Sequence, residues 1–176
     1  VNAPCYAYHP EMSAACWIRD QDAFAEATWM NANGLYPRLF YATMGVFASE
    51  DVVNSVLIMR VFNSALVVGL LTGVFFALPR RTRPALVISA VVTAVPLGLF
   101  LIASTNPSAW AYASAAVVWA ALYGATQTTG RRQIVLGALA VLAACLGAGA
   151  RAAAAAFAVF GVVIAAPLRR RRRPWV

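Results

Sequence analysis

A short polar stretch, STNPS at positions 104–108, separates two long apolar runs of the sequence. Pro107 cannot donate a backbone hydrogen bond, and it biases Asn106 away from the helical conformation. The stretch is therefore predicted to end one helix and start the next. Ser108 is placed where its hydroxyl could cap a helix beginning at Ala109.

The same turn has the chemistry of a carbohydrate site. Its serine and asparagine side chains supply neutral hydrogen-bonding groups that suit sugar hydroxyls. Trp110 and Tyr112 follow within one helical turn, and their rings could stack on a sugar. Two interpretations stay open at this point: a turn that only separates two helices, and a turn that also binds a ligand.

Two arginines, Arg60 and Arg151, stand outside the basic clusters and near the ends of apolar runs. A guanidinium in that position can bind a phosphate through two parallel hydrogen bonds while its stem stays in apolar surroundings. The alternative is an arginine that only reaches to the membrane surface. Arg60 is the stronger candidate, because Asn63 and Ser64 follow it one helical turn later.

The histidine and the acidic side chains form no pattern of a metal or cofactor site. His9 lies near Glu11, but a metal site needs three or four converging ligands, so neither metal nor cofactor is predicted. Asp20, Asp22 and Glu26 are predicted to form an exposed acidic surface. The sequence also lacks a P-loop, a dinucleotide fingerprint and a CxxC pair, which argues against soluble-type cofactor chemistry.

The composition places these residues in a membrane protein. The chain is 62% hydrophobic with a mean hydropathy of +0.72, and it has 14 basic and 6 acidic side chains among 176 residues. A soluble domain could not expose this balance to water. We therefore predict an all-α fold, a polytopic transmembrane helical bundle with an extracytoplasmic N-terminal segment.

Five uncharged apolar runs approach the length that crosses about 30 Å of hydrocarbon. They predict five transmembrane helices at about 54–78, 85–104, 109–125, 134–150 and 152–168. Only the turn at 149–151 separates the last two. One broken helix over 134–168 is therefore the alternative to a hairpin there.

Charge is segregated along the chain. All the basic residues are arginines, and apart from single positions they cluster at Arg80–Arg83, at Arg131–Arg132 and at Arg169–Arg173. Two predicted spans separate each cluster from the next, so all three fall on one face, which the positive-inside rule makes cytoplasmic. The basic tail 169–176 is then a cytoplasmic anchor rather than a nucleic-acid site, and the turn at 104–108 faces outward.

Residues 1–53 differ from the rest of the chain. They carry all six acidic residues and contain no span, so they are predicted to be extracytoplasmic, with an interfacial helix over 36–48. Cys5 and Cys16 would lie on the oxidising side and are a candidate disulfide. Cys145 falls inside a predicted span, where it is expected to be a small packing residue.

Three stretches, YPRLFYATMGVFAS, RVFNSALVVGLL and ASTNPSAWAYASA, resemble the family of predicted membrane proteins catalogued as domain of unknown function 2142, and its actinobacterial members in particular. The family is similar in layout to the C-type glycosyltransferases, which take a sugar from a polyprenyl-phosphate donor at the outer face. Members begin with a further transmembrane helix and an acidic loop, and continue past five spans. We therefore expect this chain to be part of a larger protein and assign it no catalytic residue.

Taken with the resemblance, these residues predict a glycosyltransferase-like integral membrane protein of the cell envelope. Its expected partner is a membrane lipid, in particular a polyprenyl-phosphate sugar. Arg60, the Asn106–Ser108 turn, Trp110 and Arg151 are the candidate binding residues.

Two alternatives belong to other functional classes. A transporter or lipid flippase would need polar groups at mid-membrane depth, where Thr93 and Pro96 are the main interruptions of the apolar sequence. A non-catalytic membrane subunit would hold partner subunits, and it predicts close contacts with another chain at the face carrying Gly147 and Gly149.

Overall fold

The computed structural model describes residues 9–13 and 36–170. The chain divides into two compact units, Val1–Leu35 and Tyr36–Val176. In the first unit the described residues form a turn, in which the backbone N–H of Met12 donates to the carbonyl of His9 at 3.0 Å. The predicted disulfide between Cys5 and Cys16 and the acidic residues at 20, 22 and 26 lie outside the described residues.

The second unit is built of helices. In chain order they are α1 (Arg38–Gly45), α2 (Val52–Ala77), α3 (Arg83–Thr93), α4 (Pro96–Ile102), α5 (Ser108–Thr126), α6 (Arg131–Ala150) and α7 (Ala152–Arg170). The described residues contain no strand, and the predicted all-α class is confirmed. By length and composition α2 and α6 can each cross a membrane, and α3 with α4 would make a third span if the two count as one.

The segment predicted as one span over 85–104 forms two helices, α3 and α4, which meet at an angle of 99°. Pro96 is the cause, because it forces the residue before it into the extended conformation, and Val95 has ψ 157°. Ala94 then adopts φ −74° and ψ 58°, and the N–H of Val95 donates to the carbonyl of Thr93 at 2.8 Å. This is an inverse γ-turn, and it ends α3 abruptly.

Helix α5 lies at the centre of the core. Its buried residues Val117, Val118 and Ala121 pack with residues of α2 and α6. Helix α2 contributes Leu70, Val74 and Leu78 to this cluster, and α6 contributes Leu136, Ala140 and Ala143. Alanine and glycine on facing helices let the backbones approach closely, which favours association inside a membrane.

Three helix ends meet at one end of this bundle. Gly124, near the end of α5, lies against Leu78 at the end of α2 and against Leu136 in the first turns of α6. The arginines at 80–83 and 131–132 therefore emerge together, and we call this the basic end. The turn at 104–108 and the start of α5 lie at the other end, called here the turn end.

Helix α7 turns back at Arg151 and runs along α5. Gly161 lies against Val118 and Leu122, so a side chain at that position would contact α5 directly. This arrangement favours a hairpin of α6 and α7 over one broken helix.

The glycine face predicted to meet another chain is filled by the protein's own side chains. Gly147 lies against Ser114 of α5, and a Cβ on Gly149 would be 2.7 Å from Cβ of Leu39 in α1. The small residues at this face therefore serve packing within the chain. Cys145, expected to be a packing residue, is instead exposed on α6.

Candidate functional site

Two polar side chains of α2 hold the turn at 104–108 in place. The Nδ2 atom of Asn63 donates to the carbonyl of Ser104 at 2.6 Å, and Nε of Arg60 donates to the carbonyl of Ala103 at 2.7 Å. The two side chains lie three residues apart and so share one face of the helix. The carbonyls they bind follow the last residue of α4, where a helix presents unpaired acceptors. A cation is favoured at that negative end.

Asn63 also binds Trp110, which follows the turn in α5. Its Oδ1 atom accepts a hydrogen bond from Nε1 of Trp110 at 2.9 Å, so one side chain joins α2, the loop and α5. Asn63 is 0% exposed and Trp110 is 2% exposed. A buried amide is tolerated when its donor and acceptor are both used, as they are here.

The start of α5 is capped by Asn106 rather than by Ser108. Oδ1 of Asn106 accepts the N–H of Ser108 at 2.9 Å, and Ser108 is the first residue of the helix. No side-chain cap comes from the residue before it, Pro107. The prediction that Ser108 caps the helix is therefore wrong, since the cap comes from Asn106, two residues earlier. An asparagine side chain readily accepts a hydrogen bond from the backbone N–H two residues later.

Trp110 does not face a ligand. Its ring is buried against Phe40 of α1, edge to face with centroids 5.2 Å apart, in a cluster that includes Met44 and Ala150. The expectation that it stacks on a sugar is therefore wrong. Burial of a large aromatic residue with a satisfied N–H supplies packing energy and anchors α1 on the bundle.

Arg60 is the predicted site residue whose position suits binding. Its side chain is exposed, and among the described residues only Nε is engaged, on the carbonyl of Ala103. That single bond fixes the plane of the guanidinium while its two terminal nitrogens stay available, which is the arrangement that bidentate phosphate binding requires.

Arg151 is held differently. It ends α6, its Cζ atom lies 5.3 Å from the centroid of the Tyr36 ring, and its Nε atom is buried without a hydrogen-bond partner among the described residues. Arg60 and Arg151 contact different neighbours, so the structure does not join them in one cluster.

The family model described as "Predicted membrane protein (DUF2142)" matches residues 1–175. The chain belongs to this family. No curated protein and no solved structure matches it. Family membership and the apolar helices together establish an integral membrane protein with two or three candidate spans.

This DUF2142 protein also has an apolar cleft that the sequence did not predict. It has a volume of about 600 Å³ and lies between α3 and α4 on one side and α5 on the other. The cleft forms because α3 contributes no buried residue to the core and stands away from α5. The features of the sequence that could have indicated the cleft were Thr93, a polar residue, and Pro96, a helix-breaking residue, in the segment predicted as one span.

The His, Cys, Asp and Glu side chains lie singly or in pairs in the described part of this DUF2142 protein. No group of three or more His, Cys, Asp or Glu side chains lies together there. His9 and Glu11 form a pair at 3.1 Å, with both side chains more than half exposed. Asp51 is occupied as the cap of α2, where it accepts the N–H of Asn54 at 3.0 Å.

Proposed function

We propose that this membrane protein belongs to the cell envelope and acts in glycosyl transfer, binding a polyprenyl-phosphate sugar at the turn end. The observation that carries the proposal is the exposed guanidinium of Arg60, oriented by the Ala103 carbonyl, with its terminal nitrogens unengaged by any residue of the described ranges. A fixed guanidinium binds a phosphate bidentately at a lower cost in side-chain entropy than a freely rotating one.

The turn beside Arg60 adds neutral groups. Asn106 uses its Oδ1 atom for the helix cap, which leaves its Nδ2 atom as a donor, and the hydroxyl of Ser108 has no partner among residues 9–13 and 36–170. Such groups suit sugar hydroxyls. In this proposal the carboxylate that a transfer reaction needs lies in the acidic residues before position 52 or outside this chain.

Lipid mass spectrometry on the full-length protein in mild detergent tests the proposal. We expect a polyprenyl-phosphate species to co-purify with the wild type and to be lost in Arg60→Gln. Arg38→Gln is the matched control, because Arg38 is an exposed arginine at the start of α1 and lies on no part of the turn. Absence of the lipid, or its equal retention in both variants, would remove the basis for a donor site at Arg60.

A transporter or lipid flippase is the second candidate, and one observation favours it. The 99° break between α3 and α4 lies between two apolar helices, and discontinuous helices of this kind form substrate sites in transporters. Flux assays in vesicles separate the two candidates, because a flippase moves the lipid between leaflets without consuming a sugar. Lipid movement that is abolished by straightening the break, as in Pro96→Ala, would favour this alternative.

A further inference from the structure

The cleft beside α3 is lined almost entirely by apolar side chains. Helix α3 contributes Leu86 and Ala90, while α5 contributes Ala116, Trp119 and Ala120. A void with this lining holds water poorly, because water needs polar partners. Inside a membrane, the material available to fill it is hydrocarbon.

The length of the cleft matches one leaflet of a bilayer. It extends along α5 from Tyr112 to Tyr123, which is about 16 Å at the rise of an α-helix. One half of a hydrocarbon core measures about 15 Å. The cleft is therefore deep enough for the chain of a lipid from one leaflet.

Two exposed arginines adjoin residues that line the cleft at its basic end. Thr82 and Ala85 line the cleft, and Arg80 and Arg81 immediately precede them as exposed side chains. Within the described ranges, no carboxylate pairs with either arginine. Two unneutralised positive charges thus stand where the head group of a lipid in the cleft would lie.

Neighbouring contacts hold this end of the cleft in shape. Nε and a terminal nitrogen of Arg83 donate to the carbonyls of Leu78 and Phe76 at 3.2 and 3.0 Å, and its guanidinium lies 5.1 Å from the ring centroid of Phe75. Arg83 therefore ties the first residue of α3 to the end of α2. The neighbouring Arg80 and Arg81 remain available to bind a ligand.

Two hydroxyl groups meet at the opposite end of the cleft. Thr93 Oγ1 and Tyr112 Oη lie 3.2 Å apart, beside the break that ends α3. The cleft thus changes from positively charged at its basic end to apolar along its length and to weakly polar at its inner end. A molecule with an anionic head and one hydrocarbon chain has the matching profile.

We propose that the cleft binds one anionic lipid of the leaflet at the basic end, with its phosphate on Arg80 and Arg81 and a chain between α3 and α5. This site is separate from the donor site proposed at Arg60. Its arginines lie at the basic end of the bundle, whereas Arg60 lies at the turn end, and either site can fail without the other.

Quenching of Trp119 fluorescence by brominated lipid tests the proposal in vesicles of phosphatidylcholine. Trp119 lines the cleft, and the Trp119→Phe protein supplies the signal of the other tryptophans for subtraction. We expect brominated phosphatidylglycerol at low mole fraction to quench Trp119 saturably. Brominated phosphatidylcholine should need a concentration roughly tenfold higher, since each arginine near the surface favours an anionic lipid.

Two double variants separate a specific site from general surface charge. Arg80→Gln with Arg81→Gln should abolish the preference for the anionic lipid. Arg131→Gln with Arg132→Gln should keep it, because these exposed arginines lie at the same end but, unlike Arg80 and Arg81, do not adjoin residues that line the cleft. Equal loss in both double variants, or equal quenching by the two brominated lipids in the wild type, would overturn the proposal.

A third variant keeps the proposal testable even if the arginine variants misfold. Ala116→Leu fills the cleft and leaves every arginine in place, and we expect it to reduce quenching by brominated phosphatidylglycerol. Unchanged quenching in Ala116→Leu would show that the lipid does not enter the cleft. Arg60→Gln should leave the quenching of Trp119 unchanged, which distinguishes failure of this site from failure of the donor site.

Discussion

Asn63 and Trp110, 47 residues apart in the sequence, share a buried hydrogen bond of 2.9 Å between the indole N–H and the amide oxygen. The same asparagine donates at 2.6 Å to the carbonyl of Ser104. These two bonds set the position of α5 relative to α2. They also place the turn that carries Asn106 beside Arg60.

Replacing Asn63 with leucine should destabilise the protein by about 1–3 kcal/mol. The substitution keeps a similar volume but leaves the Trp110 N–H and the Ser104 carbonyl buried without partners. The unfolding midpoint in detergent, followed by circular dichroism, measures the effect. Trp110→Phe removes only one of the two hydrogen bonds. The part of the destabilisation that comes from lost hydrogen bonds should therefore be smaller than in Asn63→Leu.

The double variant Asn63→Leu with Trp110→Phe tests whether the two side chains act together. Because the two side chains share one hydrogen bond, the losses of stability in the two single variants should not add. The interaction energy between the two substitutions should be about 0.5–3 kcal/mol. Strict additivity of the two single effects would mean that the hydrogen bond does not form in the membrane protein.

Asn106→Ala should lower stability by about 1 kcal/mol, while Ser108→Ala should change it by less than about 0.5 kcal/mol. The reason is that Asn106 caps α5 through its Oδ1 atom, whereas the hydroxyl of Ser108 takes no part in the cap. Thermal unfolding of the two variants side by side measures the difference. A larger loss for Ser108→Ala would restore the serine as the cap.

The turn shows what local sequence chemistry could predict and what it could not. Pro107 and Pro96 cannot donate a backbone hydrogen bond, and each stands where a helix begins. The identity of the cap and the 99° bend depend on distances that spacing alone does not set. The sequence therefore predicted the helix boundary at the 104–108 turn, but neither the break before Pro96 nor the directions in which the helices leave.

Trp110 and Gly147 illustrate a second limit of prediction from the sequence, which is whether a residue packs inside the chain or against an external partner. An aromatic residue after a polar turn and a glycine in an apolar helix each fit an external partner as well as an internal one. In the structure Trp110 meets Phe40 of α1, and Gly147 meets Ser114 of α5. Only the tertiary packing of distant segments distinguishes these uses.

Gly147→Ala and Gly137→Ala should change stability in opposite directions. A methyl group on Gly147 would collide with Ser114 and lie 3.2 Å from Cβ of Ala154, and overpacking of this kind costs about 1–3 kcal/mol. Gly137, on the same helix, has open space around the position of a Cβ. There alanine should gain up to about 1 kcal/mol from its higher helix propensity.

Thermal unfolding of the two alanine variants in the same detergent measures both effects. The comparison is matched, since each variant adds one methyl group to α6. Destabilisation of similar size in both would indicate that Gly137 also packs against a neighbour. A neutral result for Gly147→Ala would mean that α5 and α6 are further apart than the contact with Ser114 implies.

The orientation of the bundle can be measured with single cysteines placed at its two ends. In a background without native cysteines, Thr105→Cys marks the turn end and Thr129→Cys marks the basic end, and both positions are exposed. The segregation of arginines predicts that a membrane-impermeant maleimide labels Thr105→Cys in intact cells. Thr129→Cys should react only after the membrane is permeabilised.

Each possible pattern of labelling carries a definite consequence, because α5 alone separates the two positions. Labelling of both cysteines in intact cells would mean that α5 does not cross the membrane, and the predicted span at 109–125 would be wrong. Labelling of Thr129→Cys alone would place Arg60 and the turn on the cytoplasmic side, where a donor site at the outer face is impossible. The lipid proposed for the cleft would then come from the outer leaflet, since its phosphate is assigned to the basic end whichever way that end faces.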